Sequence, residues 1–297
     1  MMYNSKRRFL FASVLAAISV LLPAASMAQS GRSIMDRVDA NALSQNNSVF
    51  SVMTISTCKF GISNGKVRCT AHATVKSLES ASITTGAGGK DSHSIAFILE
   101  PASERGIGML SYTYDSDKPN ETWLYLSALG KVKRIVSSNS SSSEPVSLFG
   151  SEFTTEDQET GKLDDYTFTL LDTITFKGRK TYVIEQVPTA ARARQSRYAR
   201  TVMWIDADRY VNVKAKMYDS RGKEIRRVIA GSVEKINGVW MARSVTILNL
   251  VSNRLSNMKM EALYFGVDIP APLMTKRALT DTAFRERHLD ALRAQAN

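Results

Sequence analysis

Thr201-Val202-Met203-Trp204-Ile205, a turn at Asp206-Ala207-Asp208-Arg209, the stretch Tyr210 to Tyr218, a turn at Asp219-Ser220-Arg221-Gly222-Lys223, and Glu224 to Ala230 follow one another without interruption. In the second stretch Val211, Val213, Ala215 and Met217 alternate with Asn212, Lys214, Lys216 and Tyr218, the period of two that a half-buried strand requires. Turns this short leave no room for a crossover, so each strand must lie antiparallel beside the one before it. The pattern extends both ways. Upstream, Thr167 to Phe176 and Thr181 to Val187 flank Lys177-Gly178-Arg179. Downstream, Asn237-Gly238 favours a tight type I′ turn and joins Ser232 to Ile236 with Val239 to Val245. Thr246 to Val251 and Met258 to Phe265 complete the run.

The first half reads more weakly in the same way. Val49, Ser51, Met53 and Ile55 alternate, and Val67 to Val75, Ser92 to Leu99, Gly108 to Tyr114, Thr122 to Leu126 and Lys131 to Val136 continue the series. The expectation is a mainly β chain, an up-and-down antiparallel meander curled into a barrel or half-barrel. A helix is expected at each end. Ser33 to Ala42 has Ser33 as candidate N-cap and Asp36 in its first turn. Thr280 to Gln295 has Thr280 or Asp281 as cap and a stripe of Phe284, His288 and Leu292. Ser137 to Ser143 is a serine-rich loop, and the acidic stretch on to Leu163 reads as surface rather than as a linker.

Residues 1–28 read as a secretory signal peptide. Lys6, Arg7 and Arg8 precede an apolar run from Phe9 to Leu22, and Ser26 and Ala28 are small residues placed for cleavage. The run has 14 residues, short of the roughly 20 that span a bilayer. Cleavage would remove three of the eleven net positive charges and leave residues 29–297 as a basic, exported, periplasmic chain. Nucleic acid is an unsuitable partner there; anionic lipid is a more natural one, and plain solubility explains the charge equally well.

Cys58 and Cys69, the only cysteines, are expected to pair in an oxidising compartment. The intervening Asn64-Gly65 allows two hairpin registers. A four-residue loop sets the cysteines opposite each other, and a two-residue loop sets Cys69 against Phe60. Two free thiols are the alternative.

Motifs for chemistry are scarce. His72, His93 and His288 have no ligand-like neighbours in sequence, and no G-x-S-x-G elbow occurs. Gly86-Ala87-Gly88-Gly89-Lys90-Asp91 has Thr84 where a phosphate loop needs glycine, and Asp91 where it needs Ser or Thr. Glu156-Asp157 and Asp164-Asp165 read as solvated loop charge, and so does the cluster Arg192, Arg194, Arg197 and Arg200, for which lipid headgroups or an acidic protein face are the alternative partners. The chain is therefore expected to be neither enzyme nor metalloprotein and to need no cofactor. Its apolar, methionine-bearing faces are either core or the lining of a cavity for acyl chains.

Several motifs in register carry a family resemblance. Pro101 to Gly106 precedes Trp123-Leu124-Tyr125-Leu126 and Leu129-Gly130-Lys131-Val132-Lys133-Arg134-Ile135; Phe149 to Asp157, Arg197 to Asp206 and Tyr218 to Lys223 follow. Together they resemble the outer-membrane lipoprotein-sorting protein group, relatives of the LolA and LolB carriers. The Cys58/Cys69 hairpin lies outside that pattern, and Ser127 stands where proline is usual. The resemblance implies a curved half-barrel closed by helices over an acyl-chain cavity, hence a non-enzymatic periplasmic carrier of lipid or lipoprotein. It also implies transient membrane contact and an inner-membrane exporter of the resistance–nodulation–division type as a possible partner. An accessory subunit of such an exporter, binding no lipid itself, is the alternative. The candidate lining comprises Trp123, Tyr125, Trp204, Val211, Val213, Met217, Met258, Met260 and Tyr264.

Overall fold

The computed structural model describes residues 30–43, 48–85, 90–115, 118–135, 146–158 and 162–295. The expected signal peptide, the serine-rich run Ser137 to Ser143 and residues 86–89 of the glycine-rich loop lie outside the described residues. No described helix is long and apolar enough to cross a membrane.

Among the described residues fourteen strands form one antiparallel sheet. The first half supplies β1 (Ser48–Ser63), β2 (Lys66–Cys69), β3 (Thr74–Thr85), β4 (Asp91–Glu100), β5 (Gly108–Thr113), β6 (Glu121–Leu126) and β7 (Lys131–Ile135). The second supplies β8 (Tyr166–Phe176), β9 (Arg179–Pro188), β10 (Arg200–Asp206), β11 (Asn212–Tyr218), β12 (Glu224–Ile236), β13 (Val239–Asn249) and β14 (Arg254–Phe265). The order runs β7-β6-β5-β4-β3-β1-β14-β13-β12-β11-β10-β9-β8, with β2 pairing only β1. Two meanders thus meet at a seam where β1 lies between β3 and β14, and the sheet is not closed, because β7 and β8 end the order. The helices are α1 (Gly31–Leu43), the short turns α2 (Thr155–Gln158) and α3 (Ala190–Ala193), then α4 (Lys276–Thr280) and α5 (Thr282–Gln295).

Several expectations are corrected. The α1 cap is Ser30, whose hydroxyl accepts the Ser33 amide at 3.1 Å, and Asp36 lies beyond the first turn. The tail helix, by contrast, is as expected: Asp281 caps α5, its carboxylate accepting the Phe284 amide at 3.0 Å, and the short α4 precedes it. Val67 to Val75 is two strands, β2 and the start of β3, with a break between them. The stretches on either side of Gly231 are one strand, β12; Ser232 interrupts it with a positive φ of 49°. Residues 146–158 are no free surface loop, because Leu148 and Phe153 are buried in an apolar cluster with Met109 and Ile247.

The sheet has two apolar faces with different covers. Adjacent residues of one strand join different clusters: Leu110 packs with Trp123, Leu273 and Leu279, whereas Met109 packs with Leu148, Phe153 and Ile247. Phe97 and Ile98 divide in the same way. The first face, on the first meander and the seam, lies under α4, α5 and the segment leading into them. Close approach explains Gly108 there, since a Cβ would sit 2.5 Å from the Phe97 ring. The second face spreads from the seam across the second meander. It is covered by residues 146–158 at its centre and by α1 over β8 to β11.

Candidate functional site

The second face is built from strands whose apolar positions carry an unusual share of methionine. Met53 and Met260 are cross-strand partners in β1 and β14, and Met258 lies opposite both Ile55 and Val245. Met109 comes from β5, Met203 from β10 and Met217 from β11. Val228 and Met258 each touch two of the clusters, so the surface is continuous from α1 to the seam. Methionine is unbranched and polarisable, and a wall made of it can follow guests of different shape.

The cover at the centre of this face is fastened by charge. Buried Arg226 of β12 donates to the Glu152 carbonyl at 2.8 Å and to the Tyr198 hydroxyl at 3.0 Å, and it also pairs with Asp157. Glu156 accepts from the Ser196 hydroxyl at 2.6 Å and forms an ion pair with Arg197 at 3.2 Å. Glu152 pairs with Arg254 at 2.8 Å and accepts from Asn249 at 2.9 Å. Lys76 donates to the Phe149 carbonyl at 2.8 Å. Burial raises the Tyr198 pKa against the opposing pull of Arg226 and Arg197, so the hydroxyl stays neutral and accepts. Glu156-Asp157 and the arginines at 192, 197 and 200 are thus not solvated charge, whereas Arg194 is exposed as expected. Arg192 donates to the Tyr166 hydroxyl at 2.9 Å, and Arg200 pairs with Glu185 at 3.1 Å.

The nine candidate lining residues do not converge on one place. Met217, Met258 and Met260 lie on the methionine face. Trp123, Tyr125 and Tyr264 pack under α4 and α5 on the other face. Trp204 alternates with Met203 and Ile205, so it points away from α1, and the Lys214 ammonium sits 4.3 Å from its ring centre. Val211 is half-buried next to the β10–β11 turn, its carbonyl accepting the Asp206 amide at 3.0 Å. Val213 is a bulge residue lining a recess with Phe176, Arg179, Asp206 and Gly231. At about 180 Å³ that recess is smaller than the ~300–1,000 Å³ typical of ligand pockets. Burial opposes the charge on Asp206, but Arg179 and the amides of Arg209 and Asp208 outweigh it and hold the carboxyl below its usual range.

Sequence reading missed Met53, Met109 and Met203 as members of this face, although their type and alternation were visible. Among the described residues no group of His, Cys, Asp and Glu is arranged to hold a metal ion. The cysteines are joined as Cys58–Cys69, with Cα atoms 5.8 Å apart. The hairpin takes the two-residue turn, Phe60 opposite Cys69, so the bridge is diagonal.

A family model described as an uncharacterized protein matches residues 90–281, well over half of the chain. The chain belongs to this DUF1329-like family. No curated protein matches it. Its fold is similar to that of a DUF1329 family protein from Desulfovibrio piger, with a TM-score of 0.71 and 22% identity over 84% of this chain and 97% of the other. A putative outer membrane lipoprotein-sorting protein domain from Vibrio parahaemolyticus gives the same score and identity, over 84% and 98%. A LolA superfamily protein from Nitrosomonas europaea gives 0.58 and 19%, over 83% and 98%. At these identities the likeness establishes the fold alone.

Proposed function

We infer that this DUF1329-like chain is a non-enzymatic carrier. Its methionine face, curved as a half-barrel and closed by α1 and residues 146–158, would hold the acyl chains of a lipid or lipoprotein in the periplasm and release them at a membrane. The observation that carries the reading is that this face is both continuous and adaptable, while the central part of its cover, residues 146–158, is fastened by ion pairs as well as by Leu148 and Phe153. Such a cover can lift without taking apart the α4–α5 core on the other side of the sheet. The similarity to a lipoprotein-sorting domain and to a LolA superfamily protein supports the same reading.

The physical need is plain. Each exposed methylene costs roughly 0.8 kcal/mol in water, so a long chain crosses an aqueous space only when shielded. Shielding requires apolar area and a movable cover; no catalytic group is involved. Residues 29–297 act as the carrier unit after removal of residues 1–28.

Mass spectrometry of organic extracts of the chain, purified gently from the bacterial envelope, tests this. Co-purifying lipid in stoichiometric amount is expected. Absence of any lipid, together with a stable complex with an inner-membrane exporter, would favour the accessory-subunit reading instead.

A further inference from the structure

The disulfide-stapled hairpin of β1 and β2 lies outside the family-matched residues, and neither meander absorbs it. Every residue from Ile62 to Val75 is exposed, so this finger stands clear of the body. Its tip carries a cross-strand apolar pair in open solvent, Ile62 at 74% and Val67 at 42% exposure. The β13–β14 turn runs alongside, the Asn253 carbonyl accepting the Phe60 amide at 2.8 Å, and that turn presents Val251 at 66%. Val75, at the foot of the finger, is 51% exposed. Four of the seven exposed large hydrophobics among the described residues thus belong to this end of the molecule.

The charge there has one sign. From Lys59 to Leu78 the sequence contains no Asp or Glu. Among the described residues Lys59, Lys66 and Arg68 make no ion pair, whereas nearby Lys76 and Arg254 are engaged by Glu104 and Glu152. Exposed aliphatic side chains bracketed by free cations match a bilayer surface of anionic phospholipid, where the aliphatics enter the acyl boundary and the cations meet phosphate. A protein partner would need a broad complementary face. The finger offers a narrow tip and a free edge of only four residues, β2, too short to template a neighbouring strand well.

We propose that the Cys58–Cys69 hairpin is a membrane-docking finger for anionic phospholipid bilayers. It keeps the bilayer contact at a fixed end of the sheet, and it does not depend on the cargo reading above. Flotation with phosphatidylglycerol vesicles and with phosphatidylcholine vesicles tests it. The wild-type chain should float with the anionic vesicles only and release as salt rises. The double variant Ile62→Ser/Val67→Ser should bind about tenfold more weakly or worse. Each of Lys66→Gln and Arg68→Gln should lose about fivefold. Because all four positions are exposed, circular dichroism and retained disulfide should be unchanged. The Ile62→Trp variant should show a blue shift in emission on anionic vesicles that the wild type lacks. Equal flotation with both vesicle types, flotation unaffected by these substitutions, or no flotation together with an unshifted emission from the Ile62→Trp variant would each overturn the proposal. Lipid co-purification can succeed or fail regardless of these results, so the two readings fall separately.

Discussion

The two faces of the sheet share buried aliphatic packing but differ in how their covers are fastened. Under α4 and α5, the first face is a conventional aliphatic and aromatic core, with Phe50, Phe97, Leu110, Leu273, Leu279 and Leu289 almost fully buried. A prominent ion pair there, Arg293 with Glu79 at 2.6 Å, ties α5 to β3 at the margin. The second face offers methionines from β1, β5, β10, β11 and β14 to a cover fixed by Arg226, Arg197 and Arg254. Apolar interdigitation is non-directional and rigidifies a core, whereas a buried ion pair is specific in geometry and is lost as a unit when one partner goes. One face reads as scaffold and the other as a surface that has to be uncovered.

Breaking the fastening should give the largest effect. Arg226→Met leaves Asp157 without its cation and Tyr198 with Arg197 as its remaining donor, and a stability loss of about 3–5 kcal/mol is expected. Chemical denaturation measures the loss, and faster proteolysis within residues 146–158 than elsewhere would locate it. A uniform increase in proteolysis would place the cluster in the global core instead.

Truncations on the two faces sharpen the contrast. Leu279→Ala should cost about 3 kcal/mol, as fully buried leucines do. Met260→Ala, on the half-buried methionine face, should cost about 1 kcal/mol or less because that site has room to adjust. Equal costs would mean that both faces are ordinary core.

An effect smaller than that of Leu279→Ala is expected at the outer recess. Asp206→Asn removes the negative charge shared by Arg179 and Arg209, and about 1–2 kcal/mol is expected given the partial exposure of both arginines. Because the folded-state pKa of Asp206 lies below its ordinary value, its charge stabilises the fold above about pH 4 and ceases to do so as pH falls through the lowered value. Melting temperatures of wild type and variant should therefore differ most near neutral pH and converge in acid.

Where the strands lie was largely legible from the sequence, and which face each side chain takes was not. The second-half hairpins announce themselves through Gly178, Gly222 and Asn237-Gly238, since a turn is a local event. β3 was hidden because Ser77, Glu79, Ser80 and Ser82 look polar; Glu79 is buried only because Arg293 reaches it from the far end of the chain. Residues 146–158 were misread for the same reason, their acids being matched by arginines in other elements. Faces escaped because of bulges. In β14, Ala262 pairs with Val52 and Met260 with Met53, leaving Glu261 unpaired. One inserted residue reverses the alternation, so Tyr264 and Met258 pack on opposite faces of the sheet although their spacing is even. Candidate lining residues chosen by period alone were bound to be divided between two faces.

Titration with a fluorescent fatty-acyl probe tests the carrier account most directly, with Met260→Asp on the methionine face set against Trp204→Ala, which points away from it. Saturable binding by the wild type, retained by Trp204→Ala and abolished by a folded Met260→Asp, is the predicted result. No binding by the wild type, or binding that survives Met260→Asp undiminished, would contradict it.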